Sequence, residues 1–316
     1  MLLTTSAATP SLARAVPAAA PARRAWRHRF ACLHVVATFV LLVAGASVTS
    51  HDAGISVEDW PTSLGHLNPL AVHLRGLMHG LVAIEHGHRE VAMLVGLLTI
   101  VLAAWMWVTA ERPAHRVLGS LLLAGVIVQG VLGGITVKLR LPPAVSVAHG
   151  MLAQTFFCLS IATAFVLSAE WRAPRAAVAA SAARGLRRAA LVAFGAVYAQ
   201  LFLGALVRHT VAKWRVPTFL DAAVAVHAAF AAVVVAAIGL LVATVVARHG
   251  GRPRLLRPAL ALAALVLVQA LLGVLAVVTR TDPLVTVLHV VTGAAILGVC
   301  TMLALRAFRV AAGSAP

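Results

Sequence analysis

Val128-Gln-Gly-Val-Leu-Gly-Gly-Ile-Thr-Val137 and Val268-Gln-Ala-Leu-Leu-Gly-Val-Leu-Ala-Val277 are two copies of one pattern, 140 residues apart. The register runs on without a gap through a loop and into the next apolar run. Gln129 aligns with Gln269, Gly133 with Gly273, Arg140 with Arg280, Pro143 with Pro283, Val147 with Val287 and His149 with His289. Agreement at so many positions marks an internal repeat rather than chance.

Outward from this pair, the chain breaks into apolar runs near 32–50, 72–108, 117–137, 145–168, 189–207, 221–247, 259–279 and 284–305. About 20 apolar residues cross a bilayer core. The 316 residues are 61% hydrophobic and 11% charged, which no soluble domain approaches. The expected fold class is all-α integral membrane, with eight transmembrane helices in two four-helix bundles. Four spans per half is an even number, so both halves insert the same way up, as a parallel repeat. The expected boundaries are a disordered basic tail at 1–30, an N-terminal bundle at 31–170 and a linker at 171–188. A C-terminal bundle at 189–309 and a short tail at 310–316 complete the chain. The 72–108 run exceeds one span, so His73 and Arg75 are placed in the outer interface.

The net charge of +17 could suggest a nucleic-acid partner. Sorted by loop, however, eighteen of the 26 Lys and Arg fall on the side that holds both termini. That is the bias of cytoplasmic loops, so the charge is topogenic and needs no nucleic acid. Both termini are expected in the cytoplasm of a bacterial cell, in its inner membrane. The Ala- and Arg-rich start also mimics an organellar transit peptide, but Arg is preferred over Lys along the whole chain. Cys32, Cys158 and Cys300 all lie in apolar runs and read as small packing residues, not as disulfides.

Four histidines occupy matching places: His88 and His149 in the first half, His227 and His289 in the second. One histidine in a membrane helix is often only a packing residue. Four at repeat-related positions point to function, because polar groups in hydrocarbon are costly. Two helices of a bundle can project an imidazole each and clamp a metal between them. No cysteine stands near to complete a zinc site. Two axial imidazoles in an apolar cavity suit haem iron, one haem per half. Gly133, Gly134, Gly150, Gly273 and Gly293 would admit a flat ring, or simply close helix packing.

Glu85 breaks the symmetry. It precedes His88 by one helical turn, and its repeat counterpart is Val224. A charged carboxylate in a membrane helix costs about 2.5–3.5 kcal/mol on insertion scales. Arg89 is its local partner. Either the two form a structural pair, or the first half carries chemistry that the second does not.

At Glu85-His-Gly-His-Arg89 the chain resembles the haem A synthase family, in which a Glu lies three residues before a His-Arg pair. The resemblance extends to Gly54-Ile-Ser-Val-Glu-Asp-Trp-Pro-Thr-Ser-Leu-Gly65, Gln129-x-x-Leu-Gly-Gly-x-Thr-Val137, Leu203-Gly-Ala-Leu-Val-Arg208 and His289-x-x-Thr-Gly-Ala294. It implies oxidation of a haem O methyl group to the formyl group of haem A, by two hydroxylations and loss of water, for cytochrome oxidase assembly. His88 and His149 would hold the substrate haem O, with Glu85 as the catalytic residue. His227 and His289 would ligate haem B, the electron relay. Glu85 would move protons or stabilise positive charge on the methyl carbon.

Arg89, Arg140, Arg208 and Arg280 could contact haem propionates or equally snorkel to the interface. The implied partners are haem O synthase, membrane lipid, an electron donor (a quinol or redox protein) and a second copy of the chain in a homo-oligomer. Part of the family carries a cysteine pair in the first outer loop, where this chain has Val57 and Ser63. His51, His66, His79 and His86 have no repeat partner and are expected in solvent or packing roles. Two rival functions remain. A dihaem b-type cytochrome oxidising quinol explains the histidines but not Glu85. A two-repeat transporter explains the repeat but not the histidine pairs.

Overall fold

The computed structural model describes residues 21–174, 177–211, 218 and 221–313. Within them lie eight helices long and apolar enough to cross a membrane, and the protein is a multi-pass, all-α membrane protein. They are α1 (Pro21–Ser50), α3 (Gly80–Val108), α4 (Pro113–Lys138), α5 (Pro143–Leu167), α7 (Ala180–Leu206), α8 (Ala222–His249), α9 (Pro253–Val278) and α10 (Pro283–Arg309). Two short helices, α2 (Pro69–Leu74) and α6 (Ala169–Arg172), lie in connections. A π-helical turn, Val207–Val211, follows α7. Strands β1 (Ala177–Ala179) and β2 (Ala311–Gly313) pair in parallel.

Helix starts follow from local chemistry. Helices α4, α5, α9 and α10 begin on Pro113, Pro143, Pro253 and Pro283. Proline suits a first turn, because its fixed φ is already helical and no partner is wanted for the missing N–H. The turns before α5 and α10 share one backbone conformation. Arg140 and Leu141 have φ of 55° and 58°, and Arg280 and Thr281 have 55° and 65°. Leu141 N donates to Thr136 O at 2.7 Å, and Thr281 N donates to Ala276 O at the same distance. Non-glycine residues in this left-handed region cost about 1–2 kcal/mol each, so the turn chemistry is repeated along with the sequence.

Helices α1, α3, α4 and α5 pack in a ring, each against the next, and α5 returns to α1. Helices α7, α8, α9 and α10 do the same. The rings meet through α5, α10, α1 and α7. Half of each α5 and α10 span is buried within the protein, against 11% for α9. On α9, Leu267, Leu271 and Val278 are exposed, as a helix facing lipid tails requires. At the centre Phe157 and Ile161 of α5 press on Gly298 of α10, where an added Cβ would lie 3.0 Å from the Phe157 ring. Thr301 of α10 donates to Cys158 Sγ of α5 at 3.3 Å. Cys158 and buried Cys300 therefore pack the inter-ring seam as unpaired thiols.

Two boundaries differ from the sequence reading. Helix α1 begins at Pro21, so residues 21–30 are helix rather than tail. Its basic first turns find acceptors: Arg27 donates to Thr109 O at 2.8 Å, and Arg24 and Arg27 pair with Glu111. Helix α7 starts at Ala180, inside the expected linker, with Arg187 bonded to Val310 O at 2.7 Å. The remainder of both tails, and Arg14, Arg175 and Lys213, lie outside the described residues.

Candidate functional site

His88 sits on α3, His149 on α5, His227 on α8 and His289 on α10. Each imidazole lies edge-on against a glycine of the preceding membrane helix. A Cβ on Gly45 would stand 3.3 Å from His88 Cε1, and one on Gly133 3.3 Å from His149 Cε1. The distances are 3.1 Å for Gly204 against His227 and 3.1 Å for Gly273 against His289. Any side chain there would push the ring away. Gly133 and Gly273 were expected to admit a flat haem ring or close helix packing, and each instead faces an imidazole. Gly45 and Gly204 were given no such role, although Gly45-Ala-Ser-Val and Gly204-Ala-Leu-Val carry a matching signal.

One turn before three of these glycines stands a glutamine. Gln129 Nε2 donates to His149 O at 3.0 Å, and Gln200 Nε2 donates to His227 O at 2.9 Å. Gln269 Nε2 lies 3.2 and 3.3 Å from the two ring nitrogens of His289. On α1 the corresponding residue is Leu41, so His88 alone has no glutamine. The Gln-x-x-x-Gly spacing was available in the sequence but read in only two of its three copies.

In the second ring the His227 and His289 centroids are 6.3 Å apart, with planes at 74°. A metal held by two imidazoles, with bonds of about 2 Å and centroids about 1.1 Å behind each nitrogen, needs roughly 6.2 Å. The Nδ1 atoms of His88, His149 and His227 are buried without a partner. Such groups cost about 1–3 kcal/mol each unless something binds them. Neutral imidazoles in an apolar ring of helices are a donor set for a transition metal.

Glu85 is 3% exposed and fully engaged. Arg89 donates to Oε1 at 2.6 Å, while the Ser56 hydroxyl and Val57 N reach Oε2 at 2.9 and 2.8 Å. The expected Glu85–Arg89 pair is therefore present, and it also grips the loop between α1 and α2. Arg89 donates further to Val57 O and Asp59 O, both at 2.7 Å, and to Thr62 O at 3.0 Å. Asp59 accepts from Leu64 N at 2.8 Å and Gly65 N at 2.9 Å. Burial disfavours its charged form, but hydrogen bonds from Thr62, Gly65 and Leu64 outweigh that and lower its pKa to about 2. Trp60 of this loop lies across Gly134 of the first ring, where a Cβ would come within 2.5 Å of the indole. Val224, the counterpart of Glu85, is buried and apolar.

The four arginines divide. Arg89 has both terminal nitrogens engaged by the loop and Glu85. Arg208 reaches across to the first half, donating to Thr49 O and, at 2.6 Å, to Asp52. It links the rings. Arg140 is 71% exposed beside Glu58, and Arg280 is exposed. Of the unmatched histidines, His51 bonds Ser47 O at 2.9 Å and His79 is exposed, while His66 is half-buried. His86 is buried. His34, not singled out from sequence, is buried in α1 with Nε2 2.8 Å from Thr99 Oγ1.

The pattern that defines COX15-CtaA, described as cytochrome oxidase assembly protein, matches residues 28–301. The chain belongs to that family. Among curated proteins, the chain is 27% identical over 187 residues to the heme A synthase of Halalkalibacterium halodurans, covering 57% of this chain and 59% of that one. The heme A synthase of Shouchella clausii is 28% identical over 187 residues, covering 58% and 59%. That of Brucella ovis is 31% identical over 165 residues, covering 51% and 44%. The matched stretches span about three fifths or less of these relatives.

Proposed function

We propose that the chain is a haem A synthase, an oxidoreductase that converts the methyl group of haem O to a formyl group by two hydroxylations and loss of water. The observation that carries the reading is an asymmetry within a repeat. Four imidazoles stand against four glycines, and a buried carboxylate lies one turn from only one of them. On this reading the chain is two parallel four-helix repeats, the first for the substrate and the second for a resident haem. Family membership and the names of the relatives point the same way.

His227 and His289 would hold haem B. Their centroid spacing and the orphaned Nδ1 of His227 fit a bis-imidazole iron site. When bound, that haem supplies one-electron transfer. Gln200 and Gln269 fix the two helices' register around the rings. In the first ring His88 and His149 would hold haem O. Glu85, surrounded by donors, is arranged as an acceptor: it takes up a proton or faces positive charge developing on the methyl carbon. The loop that Glu85 and Arg89 grip, with Trp60 laid on Gly134, excludes water from this end. Arg140 and Arg280 remain the candidates for propionates. The setting proposed is a bacterial inner membrane with cytoplasmic termini, haem O from its synthase and electrons from a quinol or redox protein.

The test is haem extraction and chromatography from protein co-expressed with a haem O synthase, beside Glu85→Ala. Haem A from the wild type, and haem O or a hydroxylated intermediate from the variant, is the expected result. Haem B alone, unchanged by the variant, would establish the dihaem electron-transfer protein instead. Absence of haem would return the transporter.

A further inference from the structure

His86 is one of the most enclosed polar side chains among the described residues. It is 1% exposed, and both ring nitrogens are buried without a hydrogen-bond partner. Its nearest charged neighbour is Glu90, and its ring meets that of His73. His73 Nε2 lies 2.8 Å from Glu90 Oε1, and His86 Nε2 lies 3.7 Å from the same oxygen. One ligand atom from each of the three residues falls within 4.8 Å of both others. The His73 and His86 rings meet edge-on, with centroids 6.1 Å apart.

We infer that His73, His86 and Glu90 form a binding site for a divalent transition-metal ion, of the zinc or copper class, at the loop end of α3. Two imidazoles and a carboxylate are a set used for such ions, with a fourth position left to water. Tetrahedral ligands at about 2.1 Å from an ion lie roughly 3.4 Å from one another. The 2.8 and 3.7 Å separations to Glu90 bracket that value, and the ligand nitrogens of His73 and His86 lie within 4.8 Å of each other. Imidazole nitrogens select against magnesium and calcium, and copper(II) should bind more tightly than zinc. The orphaned His86 nitrogens explain why the site wants an ion: a buried imidazole without a partner is destabilising, and a metal satisfies it. His73 comes from α2 and the other two from α3, so the ion would clip the short helix to the membrane helix. The site shares no residue with the four-histidine sites, and it stands whether or not the haem reading holds.

The experiment uses full-length protein in detergent with an affinity tag free of histidine. After chelator treatment it is dialysed against Zn²⁺ or Cu²⁺, and bound ions are counted by elemental mass spectrometry. About one ion per chain is expected, with affinity reduced at least about tenfold in His73→Ala and Glu90→Gln. His51→Ala and His79→Ala should bind as the wild type. The Cu²⁺ form should show nitrogen hyperfine splitting by electron paramagnetic resonance, diminished in His73→Ala. His73 is partly exposed, so its variant should keep helical circular dichroism even where His86→Ala does not. Binding no greater than background, or binding unchanged by His73→Ala and Glu90→Gln, overturns the site.

Discussion

Gly273→Ala should displace His289, and the size of the effect follows from one distance. The new Cβ would sit 3.1 Å from His289 Cε1, whereas carbon atoms pack best at about 3.5–4.0 Å. The ring must therefore retreat by about half an ångström, and metal–ligand distances tolerate only about 0.2 Å. Overpacking of this kind costs about 1–3 kcal/mol, or roughly five- to 150-fold in affinity for whatever the imidazole holds. Alanine is also the better helix former by about 1 kcal/mol, so propensity alone would favour the variant. Gly150→Ala is the control. It adjoins His149 in sequence, yet its Cβ would meet nothing within 4 Å. The assay is haem per chain together with the low-spin absorption bands of the purified proteins. Full low-spin haem in Gly273→Ala, or equal loss in Gly150→Ala, would refute the claim that glycine sets the ring position.

Further outcomes follow from the first half. Glu85→Gln keeps acceptor and shape but loses the charge, so haem A formation should fall at least about a hundredfold while haem B content stays unchanged, read by pigment chromatography. Arg89→Ala removes the donor to three loop carbonyls, and proteolysis between residues 55 and 66 should accelerate at least about tenfold. The Asp59 turn should persist well into acid. Its folded pKa is depressed to about 2 from 3.8, so its stabilisation is full above pH 3.8 and lost as pH falls through about 2. Hydrogen exchange at Leu64 and Gly65 in detergent checks this, with Asp59→Ala lacking the protection at every pH. Arg208→Ala should loosen the link between Thr49, Asp52 and the turn after α7, seen as faster exchange at those positions without loss of haem.

The eight spans were legible because a bilayer imposes its length on any sequence that crosses it. The four histidines were legible because the repeat singled them out. The glycines behind His88 and His227 were not. The offset between Gly45 and Gly204 is 159, whereas His88 and His227 are 139 apart. A longer first loop separates them, and the alignment was followed only where it ran without a gap. The Arg89 partner at i+4 could be read, but its loop acceptors are main-chain carbonyls, which leave no mark in a sequence. His86 read as ordinary packing because its companion His73 belongs to another helix, and only folding brings them together. The basic residues 23–29 looked like tail because their acceptors, Thr109 and Glu111, lie some eighty positions on.

Leu41 has a bearing on residence time. Where Gln129, Gln200 and Gln269 each brace a histidine with a side-chain amide, Leu41, one turn before Gly45, has no hydrogen-bonding group to offer His88. A ligand bond braced at both ends breaks slowly, and one braced at a single end lets go sooner. A resident cofactor should stay for the life of the protein, whereas a substrate must depart after every turnover. The single unbraced imidazole belongs to the half assigned to the molecule that has to leave.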